Sequence, residues 1–204
     1  MKGEFFMFLQ ALFNGVFQVV LFSIIPFIWW LITARKKENF FSWIGFKKPA
    51  IENKKKWGLI FLTTIILCWL LAQFAIYLRG PMEAAESQYT GMGTTAIPSI
   101  LVYAFIQTAL SEEILFRGFL LKRLSSKFGF NTANIIQAAI FGAVHLLMVW
   151  GQFNFLAGFV IVVYPMVVAV ALSYINEKLS NGSILPSWLI HGILNTLSGI
   201  IAAL

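Results

Sequence analysis

Three formal charges fall within the stretch SEEILFRGFL, residues 111–120: Glu112, Glu113 and Arg117. The chain has two histidines, His145 in FGAVHLL and His191 in WLIHGILNT, and Asn195 follows His191 by four residues. Residues four apart on a helix share a face. A carboxylate and an imidazole that share a water make a general base. An imidazole N–H and a carboxamide N–H on one face make an oxyanion hole. Together they suit amide hydrolysis by activated water, with no side-chain nucleophile. Other protease chemistries lack their parts. The chain has no aspartate for an aspartate dyad, no HExxH and no GxSG. Ser183 stands beside Gly182 at a helix start and reads as a cap. Cys68 has no histidine near it in sequence and reads as a packed small side chain.

All these groups lie in apolar surroundings. The sequence is 59% hydrophobic and only 11% charged, against about 25% charged for a soluble domain, so it reads as an integral membrane protein of one domain. Each charge at mid-membrane costs about 2.5–3.5 kcal/mol, so each needs a partner or a use. Arg117 is four residues after Glu113, one helical turn, and the two are expected to pair. Glu112 is five before Arg117, about 140° around an α-helix, and points elsewhere. One membrane histidine alone reads as helix-packing glue. Three spans that each bring an uncommitted polar group read as a site.

Six stretches are long enough to cross a bilayer, which takes about 20 apolar residues. They run over about 5–33, 57–78, 97–121, 131–150, 155–175 and 184–204. Pro26 is expected to kink or break the first, Pro165 lies inside the fifth, and Pro186 sits harmlessly in the first turn of the sixth. Gln10, Asn14 and Gln18 form a stripe on the first, read as interhelical hydrogen-bond glue. Asn131 or Thr132 is the expected cap of the fourth. The segment FFSWIGFKKP mixes rings with lysines and is expected to lie in the interface. The loop after the second span holds Glu83 and Glu86. The fold class is therefore all-α: a polytopic membrane helix bundle of about six transmembrane helices plus an interfacial helix. Residues 1–56 read as an N-terminal transmembrane helix with a basic interfacial segment, and 57–204 as a membrane-embedded catalytic core.

The formal charge of +7 does not imply nucleic acid, because eight of the fifteen Lys and Arg lie between Arg35 and Lys56. With that loop cytosolic, twelve basic residues fall inside and two outside, the bias that orients membrane proteins. Such loops attract anionic lipid headgroups. Counted from the inner surface at 1.5 Å per residue, Glu112 and His191 both lie about 15 Å deep and His145 about 21 Å, a mismatch that tilt absorbs. The groups can share a pocket opening toward the cytosol.

EEILFR fits EExxxR, FGAVH fits FxxxH and HGILN fits HxxxN, in order, on three separate spans. This set resembles the CPBP family of CAAX prenyl proteases and bacteriocin-processing proteins, also called the Abi family. The likeness extends over roughly residues 97–200, with IGFKKP similar to a pre-helix element. It implies intramembrane endopeptidase activity on peptides or lipidated peptides: Glu112 and His145 activate water, His191 and Asn195 bind the oxyanion, Glu113 and Arg117 hold the site, and Phe141 packs beside His145. It also implies a bacterial plasma-membrane setting and a role in bacteriocin maturation, self-immunity or peptide processing. No cofactor is favoured. The alternative is a divalent metal such as zinc on Glu112, His145 and His191, with a position open for water. The competing function is a non-catalytic bacteriocin immunity or binding protein. A proton relay ranks last, since the chain has no internal duplication.

Overall fold

A computed structural model describes residues 2–80, 82 and 84–204. Glu83 lies outside the described residues. The regular structure is helical, and six helices are long and apolar enough to cross a membrane. The chain is an integral membrane protein of all-α class. Its elements are α1 (Lys2–Thr33), α2 (Phe40–Trp43), α3 (Lys54–Arg79), α4 (Ile97–Val102), α5 (Lys122–Phe128), α6 (Phe130–Met148), α7 (Phe155–Leu179) and α8 (Leu185–Ala203). Asparagine side chains cap three of them: Asn39 accepts from Ser42 N, Asn53 from Lys56 N and Asn154 from Ala157 N, at 2.9–3.0 Å.

The third span departs from the α geometry assumed for it. Between α4 and α5 the chain winds as two π segments, Tyr103–Leu110 and Glu113–Leu121, so one continuous helical rod runs from Gly93 to Phe128. A π turn closes on the fifth residue rather than the fourth and is frequent at functional sites. This rod is the centre of the fold. In its most apolar stretch 61% of the residues are buried, against 11% for α1, which lies at the periphery.

Two smaller expectations are corrected. α1 continues through Pro26 without a break. α6 begins at Phe130, with Gly129 (φ +76) as its N-cap rather than Asn131 or Thr132, because the left-handed glycine turns the chain directly out of α5. The aromatic segment after α1 docks on the bundle by one side: Trp43 and Ile44 are buried against Ile114, Phe119 and Ile184, while Phe41 stays exposed. Gly118 makes this docking close, since a Cβ there would sit 2.7 Å from Ile44 O. Ile184 N donates to Gly45 O (2.9 Å) and Ser183 Oγ donates to Lys47 O, so the same segment is stitched to the start of α8. Lys122 Nζ completes the clamp with bonds to Glu177 Oε1 (2.7 Å) and Gly182 O (2.8 Å). Of the α1 stripe, Gln18 Nε2 donates to Ser111 Oγ at 3.3 Å, in line with its reading as glue.

Candidate active site

The second π segment opens with Glu113, fully buried, and everything polar nearby is organised on its carboxylate. Arg117 Nη1 stands 3.1 Å from Glu113 Oε1, the pairing that the four-residue spacing predicts. The N–H directions miss hydrogen-bond geometry, so the contact is an ion pair rather than a bidentate fork. The Arg117 guanidinium instead lies over the Phe141 ring, 4.4 Å from its centroid. Ser187 Oγ donates to Glu113 Oε2 and accepts from Asn176 Nδ2 (2.6 Å), and Ser187 N donates to Asn176 Oδ1 (3.2 Å). Asn176 and Ser187 are both fully buried, so this network ties α7 and α8 to the π rod.

His191 joins the same carboxylate. Its Nδ1 is 3.1 Å from Glu113 Oε1, and its Nε2 is 3.7 Å from Glu112 Oε2. Both adjacent glutamates therefore address one imidazole. Neighbouring side chains on a helix stand about 100° apart, and the two glutamates reach different nitrogens of the ring, Glu113 at Nδ1 and Glu112 toward Nε2. The wider π winding on either side of Ser111 and Glu112 accompanies their convergence. A carboxylate only accepts, so Nδ1 carries a proton and Nε2 turns to Glu112. The 3.7 Å gap is too long for a direct hydrogen bond. Glu112 Oε2 is buried and has no hydrogen-bond partner among the described residues.

His145 stands across the Phe141 ring from His191. The Phe141 centroid is 4.5 Å from that of His145 and 6.4 Å from that of His191. His145 Nδ1 is 2.8 Å from Phe141 O. The carbonyl accepts, so Nδ1 again carries the proton and Nε2 presents a lone pair. No ion pair joins His145 to Glu112 among the described residues; the imidazole beside Glu112 is His191. Phe141 is more than a neighbour of His145, because Arg117 and Phe116 also pack on it. Asn195, one turn beyond His191, donates from Nδ2 to Thr108 Oγ1 at 2.8 Å.

The family model for type II CAAX prenyl endopeptidases, Rce1-like, matches residues 94–197. The chain belongs to this Rce1-like family. Membership implies a CAAX-type protease. No curated protein and no solved structure matches the chain. The Rce1-like region begins at the π rod and ends in α8, so it holds every residue of the network above, while α1, α2 and α3 lie outside it.

The alternative metal ligands in this Rce1-like chain do not gather as a ligand set. Among the described residues no three His, Cys, Asp or Glu side chains form a metal-binding group. The Nδ1 contacts of both histidines leave Nε2 as the atom that faces the site. Because Glu112, His145 and His191 do not assemble as a ligand group, no step below is routed through a metal. Three polar residues of the network were not anticipated: Ser187, Asn176 and Thr108. Ser187 had a readable signal, since it lies four residues before His191 on the face of α8 that meets Glu113. Thr108 lies four before Glu112. Asn176 had none.

Proposed function

We propose that the chain is an intramembrane endopeptidase that hydrolyses a peptide bond with water activated by Glu112 and His145. The water hydrogen-bonds to the Glu112 carboxylate and to the His145 Nε2 lone pair. Glu112 takes its proton as the oxygen attacks the scissile carbonyl carbon. The oxyanion accepts from Asn195 Nδ2 and His191 Nε2. The C–N bond then breaks and Glu112 returns the proton to the leaving amine. Donation from Nε2 while Nδ1 stays on Glu113 requires the imidazolium.

The observation that carries this reading is the unpartnered Glu112 Oε2, set 3.7 Å from an imidazole that Glu113 holds by its other nitrogen. A binding protein has no need to keep one carboxylate free while committing the next. Peptides and lipidated peptides are the substrates the family membership favours. The basic loops favour a site that opens toward the cytosolic side, where anionic lipids attract them, and the resemblance favours bacteriocin or peptide processing in a bacterial plasma membrane. The test is cleavage of internally quenched peptides, with and without an S-prenyl cysteine, by detergent-purified protein. Glu112→Gln is expected to lose about 10²–10⁴-fold in kcat, the usual share of a general base. Unchanged turnover in that variant overturns the mechanism. Cells carrying it that keep full bacteriocin protection would favour the binding function.

A further inference from the structure

Thr108 has no role in the reaction as described, yet its hydroxyl accepts the hydrogen bond of the Asn195 amide. Its hydroxyl oxygen lies 3.1 Å from Tyr103 O and 3.1 Å from Ala104 O, and 2.8 Å from Asn195 Nδ2. Carbonyls only accept, so the single hydroxyl proton is shared between those two. Toward Asn195 the hydroxyl is then left with lone pairs alone. A carboxamide can present either its oxygen or its nitrogen, and the two ends have nearly the same shape. Here only the nitrogen satisfies Thr108. One Nδ2 hydrogen is thereby fixed on Thr108, and the second is held as a donor in the amide plane. The flipped amide would set Oδ1 against lone pairs.

The π winding supplies this orientation. Tyr103 is five residues before Thr108, the repeat of a π turn, and Ala104 is four before it. The hydroxyl thus bridges both hydrogen-bonding repeats of the rod and holds a fixed direction rather than rotating freely.

We propose that Thr108 is a positioning residue for the reaction: it sets the flip and rotamer of Asn195 so that one amide hydrogen stays aimed at the oxyanion. This rests on the reading of Asn195 as an oxyanion donor. Thr108→Val keeps the branched shape and removes the acceptor; Thr108→Ser keeps the acceptor. With an internally quenched peptide that the wild type cleaves, Thr108→Val is expected to lower kcat about 10–100-fold with KM within about twofold, since donors act only on the transition state. A phosphonamidate analogue of that peptide should lose affinity by a similar factor. Thr108→Ser should retain kcat within about threefold. The Thr108→Val/Asn195→Ala double variant should be no slower than Asn195→Ala alone, because a mispositioned donor and an absent one fail in the same way. Thr108→Ala carries the same expectations if the valine does not fold. Wild-type kcat in Thr108→Val, or a double variant slower by the full Thr108→Val factor, overturns the proposal. The two failures separate cleanly. If Asn195→Ala is slow and Thr108→Val is not, only the positioning role falls. If Asn195→Ala is as fast as wild type, the oxyanion reading falls and takes Thr108 with it.

Discussion

Replacing Glu113 and Arg117, singly and together, separates what this pair does for the fold from what it does for the site. The two charges stand 3.1 Å apart with neither exposed to solvent. At an effective dielectric of 20, their gross attraction is about 5 kcal/mol. Desolvation offsets much of it, so the pair's net contribution is small, but removing one partner strands the other. Arg117→Met leaves Glu113 facing His191 and Ser187 without a permanent cation. Glu113→Met leaves a buried guanidinium whose remaining contact is the Phe141 ring. Each single change is expected to destabilise by about 3–5 kcal/mol. The double Glu113→Met/Arg117→Met variant removes both charges, and Ser187 keeps Ile184 O as an acceptor at 3.0 Å. It should lie within about 2 kcal/mol of wild type, giving a coupling of several kcal/mol. Catalysis should not recover with stability, because His191 Nδ1 has lost its carboxylate. The assay is reversible unfolding in mixed micelles alongside peptide cleavage. Singles that cost under about 1 kcal/mol, or a double equal to the sum of the singles, would refute the buried-brace argument. A double variant that is stable and fully active would refute the orienting role of Glu113.

Further outcomes follow from the same geometry. Asn195→Ala should lower kcat about 10²–10³-fold with KM little changed, the signature of a lost oxyanion donor in steady-state kinetics. Protein stripped of divalent metal, with the depletion checked by elemental analysis, should cleave peptide at the untreated rate in chelator; activity restored only by added zinc would refute the metal-free mechanism. Gly45→Ala should destabilise by about 1–3 kcal/mol in a thermal melt, since its φ of +82 disfavours any side chain and the added Cβ would collide with Gly182 O. Burial, reinforced by Glu86, pushes the Tyr89 phenol up to about 12. The fold therefore favours the neutral phenol. That contribution is complete below about pH 10, the ordinary value, and is lost as the pH rises toward 12. Tyr89→Phe should flatten the loss of stability across that window in pH-dependent melts.

Much of this arrangement was legible from residue types and spacing. Apolar runs of spanning length located the six long helices, and the step from Glu113 to Arg117 predicted their ion pair. What stayed hidden has a physical cause. A π segment is written in the same apolar residues as an α-helix, so nothing in YAFIQTAL or EILFRGFLL announces the wider turn that accompanies the meeting of Glu112 and Glu113 at one imidazole. Glu112 was expected to point away from Arg117, and Arg117 pairs with Glu113; that both glutamates address His191 was not written in that spacing. Serine, threonine and asparagine say little by type, since they serve in membrane helices both as generic glue and as specific partners; Ser187 had its spacing from His191 as a signal, whereas Asn176 became distinctive only through its hydrogen bonds to Ser187. The aromatic segment around Trp43 read as interfacial, but its composition did not say which rings dock: Trp43 is buried and Phe41 is exposed.

The wider winding around Ser111 and Glu112 makes the centre of this molecule sensitive to count as well as to identity. Deleting one apolar residue, such as Ile106, would remove the residue that a π turn holds beyond an α turn, so the first segment would tighten while the helix on either side kept its facing. Each named group would survive in the sequence, and a comparison of motifs would score the result as intact. What would go is the five-residue reach of Thr108 to Tyr103 O, so length there carries information that no polar residue records.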